Sequence, residues 1–176
     1  FVFLRGADFA AFIGFFVLAV AAQVRATRLH PFLYWAVIVA TTTAGTTMAD
    51  FADRSLGIGY VGGSLILFVL LVAVLAAWRY TTGSVSVVRI TSPKVEIFYW
   101  ATILLSNTLG TALGDFLADG SNLGYEGGAL VFAAALLVVA AACYFTKMSR
   151  TLLFWTAFIL TRPLGATLGD ILTKPH

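Results

Sequence analysis

Three carboxylates recur at one place in a repeated pattern. Asp50, Asp115 and Asp170 each stand fifteen residues after a tryptophan (Trp35, Trp100, Trp155) and five after a glycine (Gly45, Gly110, Gly165). Ahead of the first lie Thr42 and Thr46, at i−8 and i−4, which puts all three side chains on one face of a helix. Asn107, Thr111 and Asp115 repeat that column. Hydroxyl and amide oxygens that end in a carboxylate suit a hard cation or a proton relay. The same Thr and Asn side chains would serve equally as hydrogen-bonding glue between helices.

The third repeat substitutes Arg162, Ala166 and Asp170. An arginine near the middle of a membrane costs several kcal/mol, so Arg162 is expected to face inward and pair. Its partner would be Asp170, two turns or ~12 Å further along the axis, or an aspartate of another repeat. As a counter-ion it would set the net charge of a pathway; its other readings are an anion ligand and a purely structural ion pair. Pro163 is expected to kink or loosen the helix there. Asp53, Asp119 and Glu126 form an acidic group just beyond the column ends. Asp115 to Glu126 also echoes an EF-hand loop, but Leu117 takes a ligand position, so a looser cation site is the better reading of Asp115, Asp119 and Glu126.

Helices must position these residues. The chain has 176 residues, of which 60% are hydrophobic and only 11% charged, against 45–50% apolar in a soluble domain. Six windows are long and apolar enough to cross a bilayer: 8–24, 31–52, 60–80, 95–117, 125–145 and 150–172. They lack the period-2 alternation of a membrane barrel. The expected fold is therefore an all-α transmembrane bundle of about six spans, forming one domain over residues 1–176. The polar stretch 81–94 reads as an exposed loop with a short extended piece.

The motif segments Phe32–Phe51, Ile97–Phe116 and Leu152–Ile171 align without gaps, and GYVGGSLILF from Gly59 matches GYEGGALVFA from Gly124. The repeat is thus a two-helix unit: residues 31–80, then 95–145, with half units at 8–30 and 150–176. An even number of spans makes the units parallel. Gly110/Gly114 and Gly165/Gly169 are GxxxG pairs and Gly45/Ala49 is the small-residue equivalent, all suited to close helix packing. The chain opens on Phe1, and the first apolar helix has no motif helix before it, so an upstream helix is expected to be absent from this sequence.

These Trp-x9-Gly-x4-Asp blocks, separated by a second apolar helix, resemble a family of uncharacterised bacterial membrane proteins built of tandem two-helix repeats, each with a characteristic tryptophan. FWTAFILTRPLGATLGD, from Phe154 to Asp170, is similar to that family's last repeat. The family's pattern is four repeats, and this chain departs from it by lacking the first motif helix. The resemblance covers essentially the whole chain and implies a fold, not an activity.

Charge sets the orientation. Seven basic residues (Arg25, Arg28, Arg79, Arg89, Lys94, Lys147, Arg150) lie on the tryptophan side and three (Arg5, Arg54, Lys174) on the aspartate side. The positive-inside rule then puts the tryptophans at the cytoplasmic face of a bacterial inner membrane and the aspartates outside. Trp35, Trp100 and Trp155 fit an interfacial aromatic belt. The net charge of +3 comes with no basic face, so no nucleic-acid partner is expected; the partners in view are lipid, a second copy or another membrane chain. Cys143 is the one cysteine, which excludes an internal disulfide and a thiolate cluster. His30 and His176 lie outside the spans, and no hydrolase, zinc or nucleotide motif is present.

The leading expectation is a small-cation or proton-coupled transporter or channel, with Asp50, Asp115 and Asp170 as ion sites, Thr46, Thr111 and Asn107 as auxiliary ligands and a bound cation as its only cofactor. The alternative is a non-transporting scaffold or accessory subunit. A membrane enzyme using Asp115, Asp119 and Glu126 on a metal is a distant third, because no nucleophile is placed beside them.

Overall fold

The computed structural model describes residues 6–26, 28, 30–52, 59–87, 90, 92–121 and 123–173, with side chains from residue 9 onward. Among these residues it is all-helical. The helices are α1 (Gly6–Arg25), α2 (Pro31–Asp50), α3 (Gly59–Thr82), α4 (Pro93–Asp115), α5 (Gly124–Phe145) and α6 (Arg150–Thr173). A π-helical turn, Phe116–Gly120, follows α4 directly. Pro31 and Pro93 open α2 and α4 at the first helical position, where a missing N–H costs nothing. Gly59 and Gly124 occupy the same position in successive repeats, and both have positive φ (68° and 65°). The chain turns through the left-handed region there to enter α3 and α5, a conformation a β-carbon would strain.

Four helices, α2, α3, α5 and α6, are long and apolar enough to cross a membrane. The large side chains they expose, such as Leu130, Leu137 and Val138 at about 70%, would be an unstable surface in water but suit lipid. The molecule is an integral membrane protein. α4 is more polar because it needs no lipid-facing surface. It packs against α1, α2, α3 and α6, and buries Thr102, Ser106, Asn107, Thr108 and Asp115 among them.

The packing pairs differ from the sequence repeat. α1 lies on α2, α3 on α4 and α5 on α6, each joined by a loop on the tryptophan side. The two helices of one sequence repeat touch less: α4 meets α5 chiefly through the π-helical turn, which packs on both. Each second helix therefore leaves its own motif helix and covers the next. α1 also reaches α4, and α3 reaches α6 where Trp78 meets Trp155 edge-on at 5.7 Å. Along the middle run the three motif helices in a row, α2 on α4 and α4 on α6.

The 81–94 stretch is shorter as a loop than expected, since α3 continues to Thr82. No strand forms among its described residues; the segment is tied down instead by Trp155, whose indole N–H donates to the Val85 carbonyl at 2.9 Å. α6 runs unbroken through Pro163.

Candidate functional site

The polar columns lie in the seams between motif helices. In α2, Gly45 faces α4 so closely that a methyl group built on it would stand 2.8 Å from Asn107 Cβ and 3.2 Å from the Thr108 nitrogen. In α4, a methyl on Gly110 would run into Arg162 Cβ and lie 3.0 Å from its carbonyl carbon. Gly114 faces Ala166 Cβ at 3.5 Å on the same scale. Asn107 is to Gly110 what Arg162 is to Gly165, three residues earlier on the next helix. The small-residue face of one motif helix therefore receives the polar column of its successor. Glycine is required because the column residue's own backbone fills the space a side chain would take.

Within this arrangement Asp115 is buried, at 9% exposure, at the end of the column that starts with Asn107, also 9% exposed. Asp50 and Asp170 are half-buried. Thr111 donates its hydroxyl proton to the Asn107 carbonyl at 3.3 Å, and Thr46 donates to the Thr42 carbonyl at 3.1 Å. Both hydroxyls thus satisfy themselves on their own helix, and keep oxygen lone pairs to offer a cation. Among the described residues no three acidic, histidine or cysteine side chains converge as a metal site. Asp119 and Glu126 are exposed, and Asp53, the third of the outer acidic group, lies outside the described residues.

Arg162 corrects an expectation. No carboxylate pairs with it among the described residues; its guanidinium carbon lies 4.3 Å from the centre of the Phe158 ring, and its Nε is buried without a hydrogen-bond partner. The reason is directional. Side chains on a helix lean toward its N-terminus, so Arg162 reaches back over Phe158, one turn earlier, and away from Asp170, two turns later. There it comes within electrostatic reach of the Tyr99 and Tyr34 hydroxyls, on α4 and α2. Sequence spacing alone names Asp170 as a neighbour; the lean of the side chain excludes it.

The tryptophans divide. Trp100 and Trp155 are buried, at 2% and 4%, whereas Trp35 is 64% exposed. Trp100 packs on Tyr34 at 5.8 Å between ring centres and joins the core cluster of Ala19, Val37, Ala40 and Ile103. Its indole N–H donates to Glu96 at 3.4 Å. Trp155 serves the loop and Trp78, as described. These two are packing residues between neighbouring units, and Trp35 alone of the three has the exposure of a lipid-facing anchor. The sequence offered no sign of this division, because all three tryptophans sit in the same local pattern.

A cavity lies apart from the columns, on the tryptophan side between α3 and α6, lined by Arg79, Ser84, Val85, Ser149 and Trp155 among others. It holds no carboxylate, and Arg79 donates there to the Gly83 carbonyl, so it is not a cation site.

The repeat described as a Repeat of Unknown Function (DUF347) matches residues 33–84, 98–149 and 153–175. The chain belongs to the DUF347 repeat family. The three matches start within α2, α4 and α6, so each DUF347 repeat begins with a motif helix and ends in or beyond the helix that covers the next one. No curated protein and no solved structure matches the chain.

Proposed function

We propose that this DUF347 chain moves a small cation, or couples to a proton, across the membrane, with Asp50, Asp115 and Asp170 as the groups that bind it. The observation that carries this reading is Asp115, a carboxylate withdrawn to 9% exposure on the helix at the middle of the bundle. An ionisable group is retained at such a place at a cost, and cations or protons are what it serves. Asn107 and Thr111 line the approach on the same face, and Asp50 and Asp170 hold the same position in the flanking motif helices. Arg162, unpaired with any carboxylate among the described residues, adds a fixed positive charge toward the tryptophan side, and so limits how many cations the bundle holds at once. With seven basic residues against three, the tryptophan side is cytoplasmic and the membrane is the inner membrane of a bacterium.

A second reading, a non-transporting scaffold or accessory subunit, draws on the self-satisfied hydroxyls of Thr46 and Thr111 and on a bare small-residue face on α6. The two readings separate in proteoliposomes. The protein is reconstituted with a proton-sensitive dye inside, and gradients of Na⁺, K⁺, Mg²⁺, Mn²⁺ and Ca²⁺ are imposed in turn. Transport predicts an ion-dependent signal that is lost when Asp50, Asp115 and Asp170 are all replaced by Asn. Absence of flux from folded protein would decide for the scaffold.

A further inference from the structure

The two seams are built the same way, and each uses one face of each helix. The row of three motif helices therefore ends in two unused faces. On α6 the unused face is the small-residue one: Gly165 and Gly169 have nothing within 4 Å of where a methyl would stand, and Leu172 is 86% exposed. On α2 it is the column face: Trp35, Val39, Thr42 and Thr46 are all exposed, at alternating spacings of four and three that form a straight stripe along a helix. The equivalent residues of α4 (Trp100, Leu104, Asn107 and Thr111) are all buried or half-buried. The bare α6 face matches Gly45 and Gly110, each of which touches a column residue of the next helix.

We infer that two copies of this chain join through these faces, α6 of each on α2 of the other. The pairing follows from the seams already described. Gly45 meets Asn107 and Gly110 meets Arg162; carried one step further, Gly165 meets Thr42 of the second copy. Likewise Gly114 meets Ala166, which sets Gly169 against Thr46 of the second copy. The two open faces are thus complementary halves of one seam. Both copies insert the same way, so a two-fold axis along the membrane normal makes both contacts at once and leaves no motif face unused, the closed symmetry expected of a dimer. The apolar residues α5 exposes beside α6 would then cover the new seam, as α1 covers the one between α2 and α4. This deepens the transport reading, on which it rests for its purpose: the Thr42–Thr46–Asp50 column, open in one copy, is enclosed in two.

The test is disulfide cross-linking in membranes from cells that co-express two tagged versions of the chain. Cys143→Ser removes the native thiol from both. One version carries Gly165→Cys and the other Thr42→Cys; a second set carries Gly169→Cys and Thr46→Cys. Each pair should give a dimer that reductant reverses, while Leu137→Cys with Thr42→Cys should not. Adding Gly165→Leu to the version that carries Gly169→Cys should abolish the second product. The inference is overturned if neither pair cross-links although a membrane-permeant maleimide labels all four cysteines, or if the Leu137 control cross-links as well. Flux is read separately on cysteine-free protein. Cross-linking without flux sinks the transport reading alone, and flux without cross-linking sinks only the dimer.

Discussion

Gly110 of α4 lies directly against the backbone and Cβ of Arg162 on α6, and no other residue type fits there. The contact joins the small-residue face of one motif helix to the polar column of the next, and it makes a glycine in one repeat answerable for the placement of a charge in another. A methyl at 110 would have to push the whole of α6 outward, since the obstacle is Arg162 Cβ and the Pro163 nitrogen rather than a flexible tip.

Gly110→Ala should therefore destabilise the detergent-solubilised monomer by about 1–3 kcal/mol, the usual cost of overpacking. Gly165→Ala, at the same repeat position with open space around it, should stay within ~0.5 kcal/mol of the parent. Thermal unfolding of the two variants side by side checks this, and equal losses would refute the seam geometry.

Arg162 gains no carboxylate partner among the described residues, and its buried Nε gains no hydrogen bond. Arg162→Met keeps the stem that lies on Phe158 and removes the uncompensated charge, so the fold should be as stable as the parent or more stable. Arg162→Ala removes the stem too and should cost ~1–3 kcal/mol through lost packing. A Met variant as unstable as the Ala variant would mean the charge itself is anchored.

The tryptophans should differ in stability although they share one pattern. Trp155→Phe loses the hydrogen bond to the Val85 carbonyl and part of the contact with Trp78, a loss of roughly 1–2 kcal/mol. It should also speed proteolysis in the connection after α3. Trp35→Phe, 64% exposed, should change neither reading in the monomer.

Among the aspartates, Asp115 is the most buried of the three. If the chain carries a cation, Asp115→Asn should lower flux by about tenfold or more, equivalent to ~1.4 kcal/mol at the barrier. Asp170→Asn, half-buried and preceded by Ala166 and Arg162 rather than by oxygen donors, should lower it less. Initial rates in proteoliposomes give the ranking, and a larger effect at Asp170 would move the pathway to the α4–α6 seam.

Much of this protein was legible before any coordinates. Apolar runs of bilayer length determined an all-helical membrane fold, because lipid offers the backbone no other partner. The fixed Trp, Gly and Asp offsets determined that the motif helices are equivalent and parallel, since a repeated helix presents the same faces each time. Those faces were known, but not what each one meets. Contacts between helices depend on how each second helix crosses over, and here it crosses to the following motif helix, which no local pattern encodes. That crossing buries Trp100 and Trp155 but not Trp35, and gives Gly45 and Gly110 a neighbour that Gly165 lacks. The direction of Arg162 was likewise decided in three dimensions: its spacing from Asp170 is a property of the sequence, but the lean of its side chain and the room over Phe158 send it the other way.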